Sequence, residues 1–168
     1  MGQIKLVRID FRLIHGQVIT KWFAQALADR IVIVDDHLAQ DDFMKEIYEM
    51  AAPPGAKVNV FTVEQAVEKY AEDQLGSGKM LVLFKDVETV WRAFQEGFRI
   101  TEVQIGGLGS TPERKVVCGA ITMDDRDARR LKMMMDRGVH VYLQQTPEES
   151  PVEMARILEK YAFDLNDQ

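Results

Sequence analysis

The stretch Val7-Arg8-Ile9-Asp10-Phe11-Arg12-Leu13-Ile14-His15-Gly16-Gln17-Val18 closes an apolar run that begins at Ile4 and opens an amphipathic helix. An aliphatic, β-branched run ended by charged residues reads as a strand, and the change to helical spacing after Gly16 marks a strand-to-helix turn. Beyond it, Val18, Trp22 and Ala26 form one i, i+4, i+8 row beside a second of Ile19, Phe23 and Leu27, together one apolar face. A titratable imidazole, His15, thus stands near the Arg12 guanidinium at the mouth of a helix. Free backbone N–H groups at such a mouth attract anions. The order marks His15 as a candidate phosphate carrier.

The alternation continues along the chain. Ile31 to Val34 is unbroken and β-branched, as in a strand covered on both faces. A helix follows with Phe43, Met44, Ile47, Tyr48 and Ala51 on its apolar side, stopped by Pro53-Pro54-Gly55. Val58 to Phe61 is a third strand. Thr62 and Gln65 then stand at capping-box spacing before Val63, Ala66, Val67 and Tyr70. Lys79 to Phe84 is a fourth strand, and Asp86 caps a helix carrying Val87, Val90, Trp91 and Phe94. Val103 to Ile105 is a fifth strand, running into Gly106-Gly107-Leu108-Gly109, and Val116-Val117 reads as a sixth. Asp124 caps a helix closed by Gly138, Val139 to Leu143 is the last strand, and Ser150-Pro151-Val152-Glu153 reads as a capping box opening a final helix with proline at its first position.

Strands separated by helices call for right-handed crossovers. The expected fold is therefore α/β: a doubly wound, mainly parallel sheet of about six to seven strands with helices on both faces, in three layers. No repeat or linker divides residues 1–168, so a single domain is expected. A net charge of −6 argues against general nucleic-acid binding. The single cysteine, Cys118, excludes an internal disulfide and fits a reducing compartment. No apolar run is long enough to span a bilayer, and no signal-peptide pattern precedes the first strand; a cytoplasmic protein is expected, free to dock on a membrane partner.

In doubly wound sheets the ligand site lies outside the carboxyl ends of the strands. His15, Asp36, Lys85 and Gly106 to Gly109 all follow strand ends. Arg12 offers a planar fork for phosphate oxygens, or an ion pair for Asp10, and Asp10 can orient either Arg12 or the imidazole. Arg8 extends the positive field or pairs with an acid. Gly16 and Gln17 supply helix-mouth N–H groups, and Gly106 and Gly107 let backbone approach closely, or simply turn. Asp36 either faces the phosphate or caps a helix. His37 and His140 lack a convincing set of metal ligands and read as structural.

The Val7–Val18 motif with Trp22 closely resembles the IIB components of the mannose–fructose–sorbose type of the bacterial sugar phosphotransferase system. Val34-Asp35-Asp36 with Ala39, Ile105-Gly106-Gly107 and Gln144-Gln145-Thr146-Pro147 match the same pattern, so the resemblance covers nearly the whole chain. It implies a doubly wound phosphotransferase domain that receives a phosphoryl group on Nδ1 of His15 from a histidine of a IIA partner. The group then passes to a sugar entering through membrane IIC/IID partners. The resemblance implies no metal or other cofactor, and allows a homodimer. Position 36 is Asp where many relatives have Asn.

Two other classes bear on the same residues. A receiver-like signalling module would use Asp35, Asp36 and Lys85, but receivers place the acidic pair after the first strand. A metal hydrolase would use His15, Asp36 and His37, without a full ligand set.

Overall fold

The computed structural model describes residues 2–166. Its elements are β1 (Gln3–Asp10), α1 (Gly16–Gln25), β2 (Arg30–Val34), α2 (Asp42–Ala51), β3 (Lys57–Phe61), α3 (Val63–Asp73), β4 (Lys79–Phe84), α4 (Val87–Gln95), β5 (Glu102–Gly107), β6 (Lys115–Cys118), β7 (Ile121–Met123), α5 (Asp125–Asp136), β8 (His140–Leu143), β9 (Val152–Glu153) and α6 (Met154–Lys160). The main sheet has seven strands in the order β3-β2-β4-β1-β5-β8-β9. All its pairings are parallel except the last, β8 with β9.

Two apolar layers enclose the sheet. On one side Leu13, Ile14, Ile19 and Trp22 pack on Ile31, Ile33, Leu81 and Leu83. On the other, residues of α3 to α6 pack on Val7, Ile9, Val32, Val34, Val82, Phe84, Val103 and Ile105. Every side chain of β2 is buried, which explains its lack of alternation. The chain leaves β1 toward the α1 face but leaves β4 and β5, which flank β1, toward the opposite face. The two directions part at the carboxyl end of β1, and there the crevice opens.

Three expectations change. The Ser150-Pro151 helix start does not form: Val152 and Glu153 pair antiparallel with Leu143 and Tyr142, and helix begins only at Met154. The Glu153 carboxylate accepts from His140 across that pair at 2.6 Å, so it is not folded back on a cap. Val116-Val117 does form a strand, but in a separate hairpin with β7, outside the main sheet. The apolar side of α2 is partly bare: Phe43 is 71% and Ile47 38% exposed, and α2 has no fully buried residue.

Candidate functional site

Asp10, the last residue of β1, is fully buried and surrounded by donors. Its Oδ1 accepts from the backbone N–H and the Nε of Arg12, both at 3.1 Å. Its Oδ2 accepts from Arg8 Nη2 and Arg12 Nη2, each at 3.2 Å, and lies 3.0 Å from His15 Nε2. Burial alone would raise the carboxyl, but hydrogen bonds from His15 and then Arg12 outweigh it, and the group is held down at about 2. An ionised acceptor on Nε2 fixes that nitrogen as a donor, so in the neutral ring it is Nδ1 that carries the free lone pair. The ring is 21% exposed, enough for one edge to meet solvent.

The turn that carries His15 is built around Leu13. Its φ of +56° is a left-handed conformation that costs a non-glycine residue roughly 1–3 kcal/mol. The Leu13 N–H donates to the Asp10 carbonyl at 2.9 Å, while its side chain is fully buried in the α1-side core. Packing therefore holds the turn that places Arg12 and His15 on the same carboxylate.

His15 is the N-cap of α1 and makes no side-chain capping bond, and the first turn of α1 contains no acid. Among the five helices of nine or more residues, the other four are capped by Asp41, Thr62, Asp86 and Asp124. The opening N–H groups of α1, from Gly16 and Gln17 onward, have no intrahelical acceptors, and a positive dipole end of this kind attracts anions. Gly16 takes φ +48°, which a side chain adopts only with strain.

Arg8 is fully buried behind Asp10 rather than solvated. Its Nη1 donates to Gln104 Oε1 and, at 3.0 Å, to the Gln144 carbonyl; its Nη2 donates at 3.0 Å to the Gln145 carbonyl. The Gln145 carbonyl also accepts from Trp22 Nε1 at 2.8 Å, and Arg8 Cζ stands 5.3 Å from the centre of the Trp22 ring. Burial lowers Arg8 to about 10, against the pull of Asp10. Gly106 makes room for this guanidinium, because a Cβ there would collide with it. Gly107 pairs with Asp10 in the sheet, and a Cβ on it would stand 3.1 Å from both Asp10 Oδ1 and Arg12 Nη2.

Asp36 is occupied elsewhere. Its Oδ1 accepts from the Val63 N–H at the start of α3, and its Oδ2 pairs with Arg92 Nη1, both at 2.9 Å. No hydrogen bond among the described residues joins it to the Asp10 cluster, so the helix-capping alternative describes its contacts. Asp35 accepts from the His37 and Leu38 N–H groups at 3.0 Å. With both carboxylates so engaged, and no ion pair at Lys85 among the described residues, these groups do not assemble a receiver-like site. Among the described residues, no group of three or more His, Cys, Asp or Glu is placed to hold a metal ion.

Sequence reasoning picked out Arg8, Asp10, Arg12, His15 and the paired glycines, and the structure brings all of them to one carboxylate or its immediate surroundings. It missed Leu13, Gln104 and the Gln144 and Gln145 carbonyls as site members. Gln104 carried a signal: a polar residue inside an apolar parallel strand needs a buried partner. Leu13 carried none, since nothing in a leucine announces a positive φ.

Known proteins resemble this chain along nearly its whole length. Residues 4–168 match the family model described as PTS system sorbose subfamily IIB component. The chain is 34% identical over 161 residues to the sorbose-specific EIIB component of Klebsiella pneumoniae, covering 96% of this chain and 98% of that one. It is 30% identical over 157 residues to the mannose-specific EIIAB component of Escherichia coli K12, covering 94% of this chain but 49% of that longer protein. Among solved structures, manxB of Thermoanaerobacter tengcongensis superposes with a TM-score of 0.90 at 40% identity, covering 96% of this chain and 98% of that one. The IIBSor domain of the Klebsiella pneumoniae sorbose permease gives 0.89 at 34% identity, covering 96% and 99%. Matched along nearly its whole length, the chain belongs to the sorbose subfamily of IIB components of the sugar phosphotransferase system.

Proposed function

We propose that the protein is a phosphocarrier that takes a phosphoryl group from a IIA phosphohistidine onto Nδ1 of His15 and gives it up to a sugar entering through membrane IIC/IID partners. The observation that carries this reading is the engagement of His15 Nε2 by the ionised Asp10, which leaves Nδ1 as the nucleophilic nitrogen. In accepting the group, the Nδ1 lone pair forms a bond to phosphorus as the bond from phosphorus to the donor's imidazole nitrogen breaks. The pair returns to the donor ring, and the imidazolium character gained by His15 is balanced by Asp10. Arg12, exposed at its outer end and bound to the same carboxylate, brings two-pronged donors to the equatorial oxygens, and the first N–H groups of α1 meet the third side of the phosphate. Gly106 and Gly107 serve the phosphate indirectly, by admitting Arg8 and Arg12. Asp36 is proposed only as a framing residue of the same edge.

The site works without a metal in this scheme, because cations and backbone dipoles supply the charge stabilisation. No helix among the described residues is long and apolar enough to cross a membrane, which suits a cytoplasmic component that meets the transporter peripherally. The EIIAB name of the Escherichia coli relative supports a IIA donor as the upstream partner. The test is incubation with a phosphorylated IIA followed by intact mass: a gain of one phosphoryl group, absent in His15→Ala, supports the reading, and equal loading of that variant refutes it.

A further inference from the structure

We propose that Gln104 and Tyr142 are positioning residues for His15, acting on it through Arg8 and Asp10; this rests on the reading of His15 as the phosphate carrier. The four side chains form one line across three strands. In the sheet register Gln104 stands beside Arg8 of β1 on one side and Tyr142 of β8 on the other. Its amide Nε2 donates to Tyr142 Oη at 3.4 Å, which turns Oε1 toward Arg8 Nη1. Arg8 in turn donates to Asp10 Oδ2, the oxygen that holds His15 Nε2 at 3.0 Å.

The chemistry of position 104 matters because Arg8 and Gln104 are fully buried and, among the described residues, Arg8 pairs with one carboxylate, Asp10. Arg8 Nε is buried with no hydrogen-bond partner among the described residues, so the hydrogen bonds that steer the guanidinium run through its two terminal nitrogens. A neutral acceptor at 104 holds one of them without competing for charge. A carboxylate there would share Arg8 with Asp10, leaving Asp10 less neutralised and the imidazolium form of His15 more favoured. An apolar side chain would have the opposite effect, leaving Nη1 with the Gln144 carbonyl alone and letting Arg8 lean on Asp10. The charged groups around the ring are Arg8, Asp10 and Arg12, with the Lys21–Glu148 pair joining α1 to the loop after β8 and Glu102 paired with His140 beyond Tyr142. Gln104 is the uncharged member between these two sets.

The test is an NMR titration of the His15 ring in the whole protein, alongside the rate of phosphate acceptance from phosphorylated IIA. Gln104→Glu should raise the His15 midpoint by about half a pH unit or more. It should also slow acceptance at neutral pH, with the rate recovering as pH rises and the ring becomes neutral. Gln104→Met should lower the midpoint, and Tyr142→Phe should lower it less, because the freed amide no longer presents its oxygen steadily to Arg8. A residue that only fills space would leave the midpoint where it is in these near-isosteric variants. If Gln104→Glu does not fold, Gln104→Met and Tyr142→Phe carry the test alone. Midpoints equal to wild type in the folded variants overturn the proposal. The titration reads the ring whether or not it is ever phosphorylated, so a wild-type protein that takes no phosphate sinks the carrier reading separately.

Discussion

His15 Nε2 lies 3.0 Å from Oδ2 of Asp10, a carboxylate with no solvent exposure that also receives both Arg8 and Arg12. One buried anion therefore sets the tautomer of the imidazole, the aim of the Arg12 fork and the charge balance of a buried arginine.

Replacing that anion tests the stability side first. Asp10→Asn leaves Arg8 buried without a counter-ion, and breaking such a pair costs roughly 3–5 kcal/mol. The Asp10 carboxyl is held at about 2, below its ordinary 3.8, so its contribution is fully present above the ordinary value and is lost as pH falls through about 2. Urea unfolding followed from neutral pH into acid should show the gap between wild type and variant narrowing across that window. A gap that stays constant would mean the carboxylate charge is not what stabilises the site.

Arg12 is the most accessible cation of the cluster, with its side chain 37% exposed. Arg12→Ala should slow phosphate acceptance by roughly 10²–10³-fold, the loss expected when one charge-stabilising donor is removed. Arg12→Lys keeps the charge but not the fork, and should recover only part of the rate. Stopped transfer assays with phosphorylated IIA measure both; an unchanged rate in Arg12→Ala would reduce the residue to a partner of Asp10.

Gly106→Ala places a methyl group against the Arg8 guanidinium. Overpacking a buried site costs roughly 1–3 kcal/mol, and here the displaced group is the one that neutralises Asp10. Thermal melting should show a clear loss of Tm, and the His15 resonances should move although the substitution lies on another strand. A variant with wild-type Tm and unmoved His15 signals would show that Arg8 has room the structure does not give it.

His140 is half-exposed between Glu102 and Glu153, and hydrogen bonding to Glu102, then to Glu153, holds its pKa above the usual 6.5. A raised value means the stabilisation is fully present below the ordinary pKa and is lost as pH rises through the folded one. Exposure limits it to about 1 kcal/mol or less. His140→Gln should therefore be slightly less stable than wild type in mild acid and indistinguishable from it in alkali, as read by Tm at both pH values.

Much of this was legible in the sequence because the signals are local. The β1 to α1 turn, the Thr62–Gln65 capping box and the caps at Asp86 and Asp124 each lie within a few residues of the backbone they organise. The strand order was not legible, since β1 sits between β4 and β5 through pairings that span most of the chain. The same holds for β9: Ser150-Pro151-Val152-Glu153 has the local grammar of a helix start, and only an unpaired β8 edge and His140 across it turn two of those residues into strand. Arg8 shows the limit most plainly. A charged residue in a strand suggests solvent, yet Gly106, Gln104 and two carbonyls from the far end of the chain enclose it. Asp36 misled for the converse reason: its place at a strand end put it on the right edge, but Val63 and Arg92 take both of its oxygens.

The central claim is that Asp10 reserves Nε2 of His15 and so leaves Nδ1 to carry the phosphoryl group. Long-range proton–nitrogen and phosphorus NMR on the protein loaded from phosphorylated IIA measures this directly. We expect phosphorus on Nδ1 and a proton on Nε2, with the adduct on His15 alone; phosphorus on Nε2, or on any other side chain, would contradict it.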